Sequence, residues 1–381
     1  MAKGISTEKP AKIKRKQGKI DITFLSLILI LLTIGLIMLF SASYAYSLTY
    51  YNNSFKFILR QSIFAAVGLV VMFIFSKIDY HVYRKFSWLV YAVSIAMLAF
   101  LLIMPPMIKG MDVKRWIAIG PLTFQPSEIA KFAIVLLFAH LIAANYNLMS
   151  RFKFIALLAI LLGIVCGLVI FEPHISATLL IGLIGVLLMI IGGLNWKYIA
   201  MMGGVIGVGA LAIVSGVISY GSDRIKYWIN PWADPTDLGY QTIQSLLAIG
   251  SGGIMGRGLG KSRQKYLWVP EPHNDFIFSI VCEELGIIGA MIIILLFCAL
   301  VWRGFTIAIK APDKFGCLLS LGLTFQVGLQ AILNILVVTN TIPNTGISLP
   351  FFSYGGTSLV LLLAQMGIIL SVSRQTQLKK L

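Results

Sequence analysis

The chain has 381 residues, of which 58% are hydrophobic and only 12% are charged, and its formal net charge is +17. A soluble domain cannot bury that proportion of apolar side chains. The composition therefore excludes an ordinary globular protein and predicts that lipid covers most of the surface.

The first twenty residues form a basic segment ahead of the first apolar run. That run extends from about Ile22 to Phe40, which is longer than the roughly 7–15 residues of a secretion-signal core. We therefore expect a retained first helix. Residues 1–20 are predicted to be a disordered cytoplasmic tail.

Apolar runs long enough to cross a bilayer recur along the rest of the chain. They predict an all-α polytopic membrane protein with about ten transmembrane helices in a single domain, residues 21–381. Every segment on the N-terminal side of the membrane contains Lys or Arg, which predicts that both termini are cytoplasmic. The predicted helices lie near residues 22–42, 56–76, 86–104, 127–146, 153–170, 175–192, 196–219, 276–302, 314–340 and 353–373.

Some basic residues fall on the predicted outer side, against this orientation trend. They lie between helices 3 and 4 and in a large extracytoplasmic loop between helices 7 and 8, about residues 220–275. Two interpretations stay open: an anionic ligand on the outer face, which interleaved carboxylates favour, or a solvated basic loop near anionic headgroups. The residues concerned are Lys109, Lys114, Arg115, Arg224, Lys226, Arg257, Lys261, Arg263 and Lys265.

A glycine-rich stretch within the long loop, residues 250–262, is similar to a nucleotide-binding loop but lacks its spacing. A P-loop needs glycine five residues before Gly260, where this chain has Met255. The glycines predict either a close approach of the backbone to a ligand or membrane surface, or a plain flexible loop.

Five ionisable residues fall near or within predicted helices, where polar groups are costly and usually functional. Glu128 and Lys131 are three residues apart on one helix face, so they can pair, and a packing role and a catalytic role both stay open. Glu172 ends helix 5. Glu283 and Glu284 lie about two turns into helix 8 and can pair with loop cations or hydrogen-bond within the bundle.

The four cysteines and four histidines are scattered, without metal-ligand spacing. The cysteines lie in apolar runs and form no C-x-x-C pair, so we expect small buried side chains and no zinc site.

Asp275 lies where the long loop enters helix 8, at the predicted membrane–water boundary. The dipole of a helix N-terminus favours an anion there. Local sequence alone leaves a catalytic carboxylate and a simple helix-start carboxylate equally open.

Several motifs occur in an order that is typical of one membrane-protein family. They are residues 114–117, 125–128, 239–253, 256–260, 270–278, 283–286 and 334–358. With these motifs the chain resembles the SEDS family (shape, elongation, division and sporulation) over nearly its whole length after the tail. The segment from Gly258 to Lys265 resembles the division and sporulation branch, FtsW and SpoVE, more than the elongation branch, RodA.

The resemblance implies a glycosyltransferase of the bacterial cytoplasmic membrane. The likeness to the division branch further implies a location at the division septum. Such an enzyme polymerises lipid II into undecaprenyl-pyrophosphate-linked glycan by inverting hexosyl transfer, with a lipid pyrophosphate as the leaving group. The implied partners are a class B penicillin-binding protein, which is a single-span transpeptidase, and membrane lipids, but no nucleic acid. The family's catalytic aspartate corresponds to Asp275.

A positioned carboxylate that removes the acceptor's proton is typically worth roughly 10²–10⁴ in rate. Fixed cations stabilise a departing pyrophosphate. A divalent cation, Mg²⁺ or Mn²⁺, is compatible with this chemistry, although the sequence shows no convincing ligand set. The cations predicted to bind substrate are Lys114, Arg115, Lys261, Arg263 and Lys265.

Two positions depart from the family's pattern. His174 stands where the family usually has an acidic residue, which puts a metal or catalytic role at that position in doubt. Asn274 stands where threonine is commoner, which is a mild change.

Two other functions stay open. A lipid II flippase also explains many helices and the intramembrane pair Glu128–Lys131, although transporters usually place essential charge near the bilayer midplane. A non-enzymatic scaffold for the transpeptidase would make Asp275 unimportant.

Overall fold

The computed structural model describes residues 18–104, 115–120, 122–172, 174–201, 222–237 and 239–376. This part of the chain is almost entirely helical, which confirms the predicted fold class. The helices are α1 (Ile22–Tyr51), α2 (Lys56–Lys77), α3 (His81–Lys85), α4 (Ser87–Ile103), α5 (Pro126–Ala144), α6 (Phe152–Phe171), α7 (Ile175–Ile191), α8 (Ser222–Ile229), α9 (Tyr240–Gly252), α10 (Ile277–Ile309), α11 (Lys314–Val338) and α12 (Gly356–Thr376).

A short antiparallel hairpin, which the sequence pattern did not predict, precedes α5. Its strands are β1 (Ile117–Ile119) and β2 (Leu122–Phe124), with Ala118 opposite Thr123. Strands of three residues are too short to show the alternating hydrophobicity that marks a strand in sequence.

Seven described helices are long and apolar enough to cross a membrane, namely α1, α2, α5, α6, α10, α11 and α12. Helices α4 and α7 are also apolar but have 17 residues each. Together these nine occupy nine of the ten predicted positions. The remaining prediction, residues 196–219, is helical over 196–201 and otherwise lies outside the described residues.

Two helices extend beyond the apolar runs that predict them. α1 continues to Tyr51 instead of ending near 42, and α10 continues to Ile309 instead of ending near 302. Ser43 and Ser47 in the extended part of α1 are buried against the rest of the bundle. A helix can therefore continue through residues whose hydropathy alone indicates an exit from the membrane.

Burial distinguishes central from peripheral helices. In α5, α11 and α12, 67% of the apolar window is buried, whereas the figure is 28% in α2 and α10. Apolar side chains such as Ile63 on α2 and Leu295 on α10 are exposed. Lipid covers such surfaces without cost, so the pattern matches a bundle whose outer helices face the bilayer.

The two ends of the bundle differ. Helices α2, α5, α7, α10 and α12 begin at the end where a cavity opens, which we call the cavity end. At the opposite end, Arg374 Nε donates to the Gly18 carbonyl at 3.1 Å, and Asp21 forms an ion pair with Arg303 at 2.7 Å. The first and last described segments therefore lie at the same end.

The long segment between α7 and α10 is structured where it is described. Trp228 Nε1 on α8 donates to the Asn340 carbonyl at 3.0 Å, and Ser245 Oγ on α9 donates to the Val338 carbonyl at 2.9 Å. Both contacts attach the segment to the end of α11, and α9 packs along α10.

Candidate functional site

A cavity of about 400 Å³ opens at the cavity end, between α2, the β-hairpin, α5, α7 and the segments that precede α10 and α12. This volume is in the usual range of ligand sites. Its wall combines cations, carboxylates and neutral polar groups. The charged residues are Arg60, Arg115, Lys131, Glu128, Glu271 and Asp275, and the neutral ones include Gln125, His174, Asn274, Gln330, Ser348 and Tyr354.

Asp275 lies in this wall, two residues before α10. Asn334, which is fully buried in α11, donates through Nδ2 to the backbone carbonyls of Asp275 at 2.7 Å and of Ile347 at 2.6 Å. One amide therefore joins the segment before α10 to the segment after α11. The carboxylate accepts no hydrogen bond from a described side chain, so it is available to a bound ligand.

Further contacts fix the backbone around Asp275. Ser353 Oγ donates to the Asn274 carbonyl at 2.8 Å, and Tyr354 N donates to the His273 carbonyl at 2.9 Å. The His273 ring packs among Tyr46, Phe57 and Tyr354. Burial lowers the pKa of His273 to about 4, so this ring is neutral at physiological pH and serves as packing.

The surroundings of Asp275 raise the pKa of its carboxyl to about 6. Burial is the main cause, and the Glu271 carboxylate adds to it, whereas the Arg115 guanidinium opposes both. A carboxylate with a pKa near 6 is still largely ionised at pH 7, yet it accepts a proton more readily than an ordinary aspartate.

Lys131 links three elements of the wall. Its Nζ donates to Glu128 Oε1 at 2.7 Å and to Gln330 Oε1 at 3.0 Å. Gln330 Nε2 in turn donates to the Ser348 carbonyl at 3.1 Å. The ion pair predicted from the spacing of Glu128 and Lys131 is present, and it lies at the cavity.

Arg115 lines the cavity just before β1, and Glu172 lies behind it at the end of α6. Glu172 is 1% exposed, and its Oε1 has no hydrogen-bond partner among the described residues. Burial raises the pKa of Glu172 to about 8, and Arg115 counteracts part of that rise. Glu172 is therefore mostly protonated at neutral pH.

Arg60, on the first turns of α2, was missed by the sequence reasoning. It lines the cavity and hydrogen-bonds the Tyr354 hydroxyl. The available signal was a cation at the predicted outer end of helix 2, against the orientation rule.

Three cations predicted to bind substrate lie away from this cavity. Lys265 is 2% exposed, and its Nζ donates to Glu284 Oε1 at 2.9 Å and to the Gly260 carbonyl at 2.7 Å. Lys261 and Arg263 are exposed on the same segment and do not line the cavity. Only Arg115 among the five predicted cations is seen beside Asp275, since Lys114 lies outside the described residues.

Glu283 and Glu284 bind the glycine-rich segment, which we define as residues 253–265, to α10. Backbone N–H groups of Gly260 and Arg263 donate to Glu284 Oε2 and Glu283 Oε1, each at 2.9 Å. Both predicted alternatives occur, since Glu284 pairs with the loop cation Lys265 and also accepts a hydrogen bond from Ser41 on α1.

Gly256 serves this contact. Gly256 has φ +78°, and a Cβ atom there would lie 2.2 Å from the Glu284 carbonyl oxygen. At Gly256 the backbone thus approaches α10 closely, whereas a Cβ atom at Gly253 or Gly260 would meet nothing within 4 Å.

The described residues of the cavity form no complete metal-binding cluster of their own. Among the described residues, no three Asp, Glu, His or Cys side chains converge on one point. Glu128 is paired with Lys131, and Glu271 accepts a hydrogen bond from Asn274 Nδ2 at 2.8 Å. The wall supplies fixed cations, which suit an anionic ligand.

Comparisons with known proteins agree with this architecture. Residues 22–378 match the family model for FtsW, RodA and SpoVE, described as "Cell cycle protein". Stage V sporulation protein E of Bacillus subtilis (strain 168) is 37% identical over 365 residues, covering 95% of this chain and 99% of that protein. A probable peptidoglycan glycosyltransferase FtsW of Geobacter sp. (strain M18) is 35% identical over 365 residues, covering 95% and 98%.

A chain from a peptidoglycan synthase complex, solved to show how polymerization and crosslinking are coordinated, superposes with a TM-score of 0.76 at 26% identity. The match covers 94% of this chain and 98% of that one. The long extent of these matches, together with the helical bundle and its motifs, shows that the chain belongs to the FtsW, RodA and SpoVE (SEDS) family.

Proposed function

We propose that this chain is a peptidoglycan glycosyltransferase that polymerises lipid II, and that Asp275 is its general base. Family membership and the names of the relatives support the reaction class. The observation that carries the assignment of Asp275 is its place in a cavity whose wall also holds three cations.

The proposed reaction is a single displacement. Asp275 accepts the proton of a sugar hydroxyl on one substrate while that oxygen attacks the anomeric carbon of the other. The bond from this carbon to the pyrophosphate oxygen breaks as the new glycosidic bond forms, which inverts the anomeric centre. The pyrophosphate leaves as an anion without an acid, so one positioned carboxylate is enough.

The cationic wall would receive the leaving group. Arg60, Arg115 and Lys131 converge on the cavity from α2, the segment before β1, and α5. Arginine binds phosphate through two parallel hydrogen bonds, and charges held in place before the reaction stabilise the departing anion most effectively. Lys114 remains a candidate, whereas Lys261, Arg263 and Lys265 have no part in this step.

The other wall of the cavity suits a lipid-linked substrate. Phe64 lies one turn further along α2 than Arg60, and Ala177 and Leu180 lie on α7. A ligand with a charged head and an apolar tail can therefore contact both kinds of wall.

We further propose that the cavity end faces outward from the bacterial cytoplasmic membrane and that both termini are cytoplasmic. The basic residues near the opposite end support this orientation. The similarity to a chain of a peptidoglycan synthase complex supports a class B penicillin-binding protein as the partner, at the division septum or during sporulation. Flippase and scaffold roles remain the alternatives.

The test is polymerisation of lipid II by the purified full-length protein with its partner transpeptidase in liposomes. Asp275→Asn keeps the shape but cannot accept the proton, so we expect polymer formation to fall by roughly 10²–10⁴. The matched control is Asp237→Asn, which changes an exposed carboxylate away from the cavity and should leave the rate unchanged.

Normal polymerisation by Asp275→Asn would contradict the assignment of Asp275 as the general base. A wild-type protein that moves lipid II across the bilayer without polymerising it would favour the flippase. A wild-type protein that binds its partner transpeptidase but shows no polymerisation would favour the scaffold.

A further inference from the structure

The glycine-rich segment lies beside α10 well below the start of that helix. Ile287 N donates to the Gly253 carbonyl at 3.0 Å, and Ile288 N donates to the Ile254 carbonyl at 3.3 Å. α10 begins at Ile277 and is kinked at Gly286, directly before these contacts. At the helical rise per residue they lie about 15 Å along it from the cavity end.

A second helix gives the same depth independently. Ser41 Oγ on α1 donates to both Glu284 oxygens, at 2.7 and 2.8 Å, and Lys265 Nζ donates to Ser41 Oγ at 3.0 Å. α1 ends at Tyr51, so Ser41 also lies about 15 Å from the end of its helix. Each contact also lies about 30 Å from the opposite end of its helix, since α1 has 30 residues and α10 has 33. The hydrocarbon core of a bilayer is about 30 Å thick, so the segment lies near the boundary of that core on the side of the cavity end.

The non-helical backbone at this depth has its polar groups satisfied. Ser262 N and Gln264 N donate to Glu284 Oε1 and Glu283 Oε2, at 3.2 and 3.3 Å, in addition to the bonds from Gly260 and Arg263. Irregular backbone is tolerated at membrane depth only where protein or water satisfies it. The two buried carboxylates provide that satisfaction, which explains acidic side chains inside an apolar helix.

The tip of the segment carries exposed apolar side chains. Ile254 is 66% exposed and Met255 is 78% exposed. They adjoin Ile287 and Ile288, which are also exposed on α10, so the apolar surface is continuous with the outer face of a membrane-crossing helix. Water would make such a tip costly, whereas acyl chains would cover it.

Two cations follow this apolar tip in the same segment, six and eight residues after Met255. Lys261 and Arg263 are exposed, and their side chains make no ion pair with described residues. From the boundary of the hydrocarbon core, their long stems can reach the phosphate level of a bilayer.

From these observations we infer that α9 and the glycine-rich segment form an interfacial hairpin whose tip dips into the bilayer leaflet at the cavity end. Ile254 and Met255 insert among acyl chains, and Lys261 and Arg263 bind the phosphates of anionic phospholipids. This lipid contact is separate from the cavity and does not depend on the proposed glycosyl transfer.

The depth of the tip is tested by spin labelling. The four cysteines are replaced by alanine, and the full chain is labelled at Met255→Cys or, as the control, at Asp237→Cys, in nanodiscs of phosphatidylcholine and phosphatidylglycerol. We expect the Met255 label to collide with oxygen several-fold more than with a water-soluble nickel chelate, and the Asp237 label to show the reverse. Equal chelate access at both positions would overturn the hairpin.

The headgroup contact is tested with the unlabelled protein, whose cysteines are intact. Native mass spectrometry of protein released from the same nanodiscs counts the phosphatidylglycerol molecules retained. We expect Lys261→Ala/Arg263→Ala to retain several-fold fewer than wild type, whereas Lys153→Ala/Lys226→Ala removes the same charge from exposed positions elsewhere and changes retention little. Equal loss in both double variants would show a non-specific charge effect and overturn the headgroup assignment.

Discussion

The carboxyl of Asp275 is influenced by two neighbours of opposite sign. Glu271 favours its protonated form, and Arg115 favours its ionised form, while burial sets the larger rise in pKa. The two residues come from distant parts of the chain and meet only in the cavity. Changing the charge of either residue therefore shifts the pKa of Asp275.

This arrangement predicts a pH dependence with a definite sign. A base must be ionised to work, so polymerisation by the wild type should rise with pH through an apparent pKa near 6. Glu271→Gln removes a negative charge and should shift this apparent pKa to lower pH. Arg115→Gln removes a positive charge and should move it to higher pH.

The measurement is the initial rate of polymer formation against pH at saturating lipid II for the three proteins. Apparent pKa values that are equal in the three proteins, or that shift in the same direction in both variants, would contradict the electrostatic account of Asp275.

Glu172 gives a second prediction, on stability. The pKa of Glu172 is about 8 in the folded protein, whereas its ordinary value is about 4.5. The contribution of its neutral side chain to the stability of the folded protein is therefore fully present below pH 4.5 and is lost as pH rises through 8. Glu172→Gln keeps a neutral side chain of the same shape. It should match wild type in Tm near pH 5 and have a higher Tm near pH 8, where its free energy of unfolding exceeds that of wild type by up to a few kcal/mol.

Thermal unfolding in detergent at pH 5 and pH 8 measures the difference. A variant that is less stable than wild type at pH 8 would show that Glu172 is ionised in the folded protein.

The conformation of the glycine-rich segment depends on its close contact with α10. Gly256 and Gly286 both have positive φ, and each lies against the backbone of the other segment. A side chain at either position would separate the segment from Glu283 and Glu284, whose carboxylates satisfy its N–H groups.

Gly256→Ala should therefore destabilise the protein by about 1–3 kcal/mol, because it combines a clash with backbone strain. The control is Gly250→Ala within α9, where a Cβ atom meets nothing within 4 Å and alanine favours the helix. Thermal unfolding of both variants in the same detergent checks this, and an equal Tm for the two would show that the contact is not needed for stability.

For the molecule as a whole, the helices bring the first and last described segments to one end and the cavity to the other. Opposite ends of a membrane-crossing bundle face different compartments. The orientation of the chain in the membrane can therefore be measured separately from its polymerisation activity.

A chain with alkaline phosphatase fused after Asp237 should be active, because that enzyme folds only outside the cytoplasm. A fusion after Thr376 should be inactive, whereas a green fluorescent protein at Thr376 should fluoresce. The reverse pattern would place the cavity end in the cytoplasm and remove the proposed access to lipid II on the outer face.

Local sequence properties were enough for part of this description. The positions of nine helices follow from apolar runs, because the free energy of placing a segment in lipid is nearly a sum over its residues. The pairing of Glu128 with Lys131 follows from their spacing on one helix. The family resemblance of the motifs around Asp275 singled that residue out before any geometry was known.

Tertiary structure decided which charged groups meet. Arg60 and Gln330 reach the cavity from α2 and α11, whereas Lys265 is close to Asp275 in sequence but pairs with Glu284 instead. Whether two distant side chains share a cavity depends on how their helices pack, and no local property of either residue encodes that packing. Sequence by itself therefore identified the membrane fold and the candidate base, and only the packed bundle identified the cations that surround it.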